Sequence, residues 1–100
     1  MEPLVRITQK EKEIIKSVIF NFDQNATIKL FGSRIYDEKK GGDIDLYVET
    51  KKNFDLDKKI QILTELEFCG ISRKIDLIVK TPYTKYLSIF DTINKEGIVL

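Results

Sequence analysis

Apolar residues recur at helical spacing in three segments of the chain, each with its own start or stop signal. The predicted helices are residues 9–22, a segment that begins at a cap on Asn53 or Asp55 and stops near Gly70, and residues 83–95. Thr8 and Glu11 have the spacing of a capping box before the first helix. One face of each helix should pack inward, and for the second helix that face is predicted to comprise Leu56, Ile60, Leu63 and Leu66 or Glu67.

Short apolar segments with a β-branched bias lie between these helices. The predicted strands are residues 26–31, 43–48 and 74–80, and a short apolar tail follows Gly97. Ser33 can cap a short helical turn after the first strand, which gives the order αβαβαβα. This order predicts an α/β (α+β) fold with a small mixed three-stranded sheet flanked by helices. No linker or repeat divides the chain, so residues 1–100 are expected to form one domain.

Three aspartates stand inside the apolar strand segments. Asp43 and Asp45 are one residue apart, so on a strand they share a face at a separation of about 7 Å. Asp76 has a similar position in the third strand and can stand beside them if the two strands are neighbours. Such a cluster is unfavourable unless a cation or a shared proton compensates it. It predicts one or two Mg²⁺ ions completed by nucleotide phosphates, with one acid able to act as a base.

Gly32 and Ser33 close the first predicted strand. Glycine lets the backbone approach a phosphate, and Ser33 can offer both its hydroxyl and an N–H at a helix start. A Gly-Ser pair alone is a common turn. Together with the three aspartates it predicts a nucleotide-binding segment.

The composition excludes several other chemistries. The 100 residues include 17 Lys and Arg, 16 Asp and Glu, and no histidine. Ser-His-Asp triads and His-ligated zinc are therefore excluded, and carboxylates must carry any chemistry. The net charge of +1 argues against a nucleic-acid coat protein, so nucleic acid is expected only through a partner. The lone Cys69, the lack of a signal segment and the lack of a membrane-spanning run predict a soluble cytoplasmic protein without membrane contact.

Two apolar features near the end of the chain have structural interpretations. An aromatic and aliphatic stripe is formed at helical spacing by Tyr83, Tyr86, Phe90 and Ile93. A core position is favoured over a docking face for this stripe, although the apolar tail leaves room for an oligomer or partner contact. Cys69 is expected to be a buried or partly buried core residue rather than a nucleophile.

The motifs together resemble the minimal nucleotidyltransferases of the DNA polymerase β superfamily. The matching pattern is an apolar strand, Gly32-Ser33, then Asp43-Ile44-Asp45-Leu46, and later Ile75-Asp76-Leu77. The resemblance covers nearly the whole chain. One local departure is that many relatives continue after the arginine with a small residue, arginine and glycine, whereas this chain continues with Ile35-Tyr36-Asp37.

This resemblance implies roles for individual residues. Gly32 and Ser33 would bind the nucleotide phosphates, and Arg34 matches the arginine that often follows them. Asp43 and Asp45 would ligate Mg²⁺. Asp76 would complete the metal-binding and catalytic triad and activate the attacking hydroxyl.

The same resemblance suggests a partner and an activity. Some minimal nucleotidyltransferases act as antitoxins that transfer AMP from ATP to a tyrosine of a HEPN-type ribonuclease toxin. The expectation is therefore a Mg²⁺-dependent, protein adenylyltransferase-like enzyme with ATP as nucleotide and a HEPN-type partner. Two alternatives stay open. The chain can be a non-catalytic antitoxin that neutralises its partner by binding, or a small-molecule nucleotidyltransferase that works as a homodimer.

Overall fold

The computed structural model describes residues 7–31 and 44–100. The helices and strands in these ranges are α1 (Gln9–Phe22), β1 (Thr27–Leu30), β2 (Ile44–Glu49), α2 (Leu56–Phe68), β3 (Ile75–Lys80), α3 (Ile89–Glu96) and β4 (Ile98–Val99). The short helical turn predicted at Ser33 lies outside the described residues. Within those residues, no helix combines the length and apolarity needed to cross a bilayer.

The strands form one mixed sheet in the order β3-β2-β1-β4. β2 pairs with β1 antiparallel and with β3 parallel, so the predicted mixed sheet is confirmed. The apolar tail adds a fourth strand that the sequence pattern did not predict: Ile98 and Val99 pair with Leu30 and Lys29. A two-residue strand is too short to show alternation, and only its pairing with β1 identifies it.

Helices cover both faces of this sheet. On one face, α1 and α2 pack against β1, β2 and β3 in a cluster that includes Ile15, Ile19, Ile28, Leu46, Ile62, Leu66 and Leu77. On the other face, Phe90 and Ile93 of α3 pack against Phe31 and Tyr47. Alternation along β2 separates the two clusters, because Leu46 and Tyr47 point to opposite faces.

The helix starts follow the local signals in the sequence. The Glu11 N–H donates to Thr8 Oγ1 at 3.0 Å, and the Thr8 N–H donates to Glu11 Oε1 at 2.8 Å, so the predicted capping box is confirmed. Of the two predicted caps for α2, Asp55 is the one used, because its Oδ1 accepts from the Lys58 N–H at 2.9 Å. α2 ends just before Gly70, which has a φ of +120°.

The inward face predicted for α2 is only partly correct. Leu66 is buried as predicted, and Ile62 is buried with it. Leu56 and Ile60 are instead 69% and 53% exposed. The buried face is thus rotated around the helix axis relative to the prediction, and Cys69 at the C-cap is exposed rather than a core residue.

α3 begins later than predicted. The segment before it forms a turn in which the Thr84 N–H donates to Thr81 O at 3.1 Å and the Thr81 N–H donates to Thr84 Oγ1 at 2.9 Å. The chain thus forms a turn at the start of the predicted segment, and α3 begins only at Ile89. Phe90 is buried as predicted, whereas the core position predicted for Tyr83 and Tyr86 is wrong, since they are 84% and 61% exposed.

Candidate active site

Asp45 of β2 and Asp76 of β3 are register partners across the parallel pair. Partners in parallel strands point to the same face, and neighbouring strands lie about 4.8 Å apart. The pairing begins at the acid end of the sheet, where the Ile44 N–H donates to Lys74 O at 2.9 Å. Two of the three predicted catalytic aspartates are therefore adjacent, on the face of the sheet that α3 also covers.

The remaining predicted site residues, Gly32, Ser33, Arg34 and Asp43, lie outside the described residues. The described part of the chain does reach the acid pair from the first strand. The N–H of Phe31, the residue before Gly32, donates to Asp45 O at 3.0 Å. The end of β1 is thus hydrogen-bonded to the backbone of one of the two acids.

An aromatic layer supports the acid pair from the same face. Tyr47 is two residues after Asp45 on β2 and is 1% exposed. Its ring lies 6.0 Å from that of Phe90 in an edge-on arrangement, and Ile78, its register partner on β3, packs against the same cluster. The sequence pattern did not single out Tyr47, although its spacing from Asp45 placed it on the acid face.

The Tyr47 hydroxyl is not suited to act as a base. It donates to Glu49 Oε1 at 2.8 Å. Burial raises the pKa of Tyr47 well above its usual range, and the hydrogen bond to Glu49 raises it further. The side chain therefore stays a neutral phenol, and its role in this site is packing and support.

A cation stands beside the acid pair. Lys74 Nζ lies 3.9 Å from Asp76 Oδ1, and the two side chains are 72% and 50% exposed. The two residues share a face because they are separated by one position on an extended chain. A lysine two positions before a strand aspartate is the sequence signal for this contact.

The two carboxylates fit a hard divalent cation. Mg²⁺ is commonly bound through one or two carboxylates, with substrate phosphates and waters completing an octahedron. Residues 7–31 and 44–100 contain no cluster of three acidic, cysteine or histidine side chains that could hold a metal. Asp45 and Asp76 would thus be the ligands from the described part of the chain, and the third predicted ligand, Asp43, lies outside it.

A second polar cluster lies at the opposite end of β2 and has a structural role. The Thr50 hydroxyl donates to Asp23 Oδ2 at 2.5 Å, and the Asn25 N–H donates to Oδ1 at 3.0 Å. These hydrogen bonds, the Thr50 bond foremost, hold the pKa of Asp23 below its usual value, with help from the nearby Lys52 charge and against the opposing effect of burial. The cluster joins the end of α1 to the end of β2.

Comparison with known families agrees with this geometry. The family model "Polymerase beta, Nucleotidyltransferase" matches residues 12–100. No curated protein matches the chain. Nucleotidyl transfer is the general reaction of this family, and its members typically use a nucleoside triphosphate and a divalent metal ion. The match extends over most of the chain and includes both strands of the acid pair, and the chain therefore belongs to the polymerase β nucleotidyltransferase family.

Proposed function

We propose that the protein is a Mg²⁺-dependent nucleotidyltransferase that transfers AMP from ATP to a hydroxyl group of a macromolecular partner. The observation that carries this proposal is the in-register pair of Asp45 and Asp76 on one face of the sheet. Two carboxylates side by side on one sheet face are suited to share a divalent cation that also binds nucleotide phosphates. Membership of the nucleotidyltransferase family supplies the reaction class.

Nucleotidyl transfer requires little covalent chemistry from the protein itself. The acceptor oxygen forms a bond to the α-phosphorus of ATP while the bond from that phosphorus to the departing pyrophosphate breaks. Asp76 is half-exposed and takes the proton of the acceptor hydroxyl. Asp45 would hold the metal ion, and the ion would supply charge neutralisation at the phosphate oxygens. Gly32, Ser33 and Arg34 are proposed to hold the phosphates, and Asp43 to be the further metal ligand.

The proposed partner is a HEPN-type toxin, modified on a tyrosine hydroxyl, with this protein as its antitoxin. Support comes from the spacing of Gly32-Ser33, Asp43, Asp45 and Asp76, which resembles minimal nucleotidyltransferases found with such toxins. A protein acceptor is also consistent with the exposed position of Asp76. Asp76 has half of its side chain accessible to solvent, so a hydroxyl on a bulky partner can reach it.

The test is to incubate the purified protein and its genomically adjacent partner with Mg²⁺ and each nucleoside triphosphate in turn, and to measure intact masses. A gain of one or more nucleotidyl units on the partner is expected with ATP and not with Asp45→Asn. The matched control is Asp57→Asn, which makes the same change at an exposed aspartate on α2, on the other side of the sheet. Circular dichroism of both variants establishes that they fold.

Two other results would overturn the proposal. An unmodified partner in a stable complex with this protein would favour neutralisation by binding. Full transfer by Asp45→Asn would exclude the assigned metal-binding role of that residue.

A further inference from the structure

We propose that Lys74 is a substrate-contacting residue whose ammonium binds the polyphosphate of the nucleotide, including the departing pyrophosphate. The inference rests on the proposed function for the presence of a nucleoside triphosphate at the acid pair. It goes further by assigning a specific cation to the leaving-group side of the reaction. The motif pattern used above does not include this residue.

The backbone of Lys74 is fixed at the acid end of the sheet. Its carbonyl accepts the Ile44 N–H at 2.9 Å, one residue before Asp45. Its side chain extends from the same face as Asp76, and the ammonium lies 3.9 Å from the Asp76 carboxylate. The base of the side chain is therefore positioned by the β2–β3 pairing, while the charged end lies within reach of any group that the two acids bind.

The charged end of Lys74 remains available for a ligand. The side chain is 72% exposed, and its ion pair with Asp76 is at the long limit for such contacts. An exposed pair of this kind contributes little to folding stability.

The other described lysines of this face are placed differently. Lys29 of β1 donates to Asn94 Oδ1 at 3.2 Å and is thereby held against α3. Lys80 is at the far end of β3, where its register partner is Glu49. Lys74 alone among these three is next to an acid of the candidate site. A triphosphate that approaches two carboxylates is repelled by them, and a neighbouring ammonium lowers that repulsion.

A role for Lys74 that is limited to neutralising Asp76 would give a different experimental result. If the ammonium only neutralised Asp76, its removal would leave the carboxylate more available to a metal ion, and half-maximal activity would need less Mg²⁺. Binding of pyrophosphate would not change. If the ammonium binds phosphate, its removal weakens pyrophosphate and triphosphate binding. The two roles are thus separated by the ligand whose affinity changes.

The experiment measures binding of Mg²⁺-pyrophosphate to the full chain by calorimetry, alongside the KM for ATP in the transfer assay. Lys74→Met and Lys74→Gln are expected to weaken pyrophosphate binding about tenfold and to raise the KM by a similar factor, because a charge-assisted hydrogen bond is lost. Lys74→Arg should retain most of the affinity. Lys80→Met, on the same face at the other end of β3, is the control and should change neither value.

Pyrophosphate binding by Lys74→Met within twofold of the unmodified protein would overturn the inference, as would an equal loss in Lys80→Met. A lower Mg²⁺ requirement with unchanged pyrophosphate binding would identify Lys74 as a counter-ion only. Pyrophosphate binding and transfer measured on the unmodified protein distinguish this inference from the proposed function. If it binds pyrophosphate through Lys74 but transfers nothing to the partner, the proposed acceptor is wrong and the role of Lys74 stands. If it binds no pyrophosphate, the inference fails whatever the acceptor.

Discussion

The ring of Tyr47 packs edge-on against that of Phe90, with their centroids 6.0 Å apart. This contact fastens α3 to the sheet face that carries the candidate active site, two residues along β2 from Asp45. Tyr86 adds a third ring, 6.2 Å from Phe90, and donates a hydrogen bond to Asp91. The aromatic layer therefore links the acid strand to the start of α3 without contributing a group that can transfer a proton.

Replacement of Tyr47 by phenylalanine tests this supporting role. Tyr47→Phe keeps the ring contact and removes the hydrogen bond to Glu49, so the free energy of unfolding should fall by about 1 kcal/mol. The rate of nucleotidyl transfer should stay near that of the unmodified protein. Urea unfolding and the transfer assay measure the two effects. A loss of transfer in a folded Tyr47→Phe variant would instead give the hydroxyl a direct part in the reaction.

Asp76→Asn should separate activity from stability. The side chain is half-exposed and its ion pair with Lys74 is weak, so the free energy of unfolding should change by no more than about 0.5 kcal/mol. Loss of the proton acceptor should lower the transfer rate about 100-fold or more. Asp57→Asn serves again as the matched control and should transfer at the normal rate. Strong destabilisation by Asp76→Asn would indicate a structural rather than a catalytic carboxylate.

The Asp23 cluster predicts a pH dependence of stability. The pKa of Asp23 is lower in the folded protein than its ordinary value of 3.8. The corresponding stabilisation is therefore complete above that ordinary value and is lost as the pH falls through the folded-state pKa. Thr50→Val removes the main hydrogen bond and should lower the free energy of unfolding by about 2 kcal/mol at pH 7. It should also reduce the dependence on pH below 3.8, as measured by urea unfolding at several pH values.

Unchanged acid sensitivity in Thr50→Val would show that other carboxylates dominate the acid unfolding. Thr64→Val on the exposed surface of α2 is a suitable control, because it makes the same substitution away from the cluster.

Gly97 is predicted to be intolerant of a side chain. A Cβ at this position would meet the carbonyl oxygen of Ile93 at 2.5 Å, so the junction between α3 and β4 would have to shift. Gly97→Ala should lower the free energy of unfolding by about 1–3 kcal/mol. Hydrogen exchange of the Leu100 amide, which donates to Ile28 O at 2.9 Å, should become faster if β4 is displaced. Protection equal to that of the unmodified protein would show that the junction adapts without releasing β4.

The sequence predictions were most accurate for features that depend on the geometry of a single helix or strand. The capping box of Thr8 and Glu11 defined the start of α1, and the aspartates in β2 and β3 identified the acid pair before any pairing was known. Both signals depend on the fixed geometry of a single element. The placement of Asp45 beside Asp76 required only that β2 and β3 be neighbours.

The features that the sequence pattern did not predict have different physical origins. The apolar residues Leu56 and Ile60 match an inward helical face, but the packing of α2 against α1 and the sheet buries Ile62 and Leu66 instead. α3 begins later than predicted because a turn between Thr81 and Thr84 occupies part of the segment before it, and β4 exists only through its pairing with β1. The interaction of Lys74 with Asp76 depends on the directions of two side chains along one extended segment, which the pattern of acidic residues does not specify.

The parallel pairing of β2 and β3 also sets when the candidate site can form during folding. A parallel pair cannot be closed by a tight turn, and here the connection between the two strands includes all of α2. Asp45 and Asp76 come together only after this long-range closure, which is entropically slower than a hairpin. Recovery of metal-dependent activity during refolding should therefore lag behind formation of the β1–β2 hairpin and report on completion of the native topology.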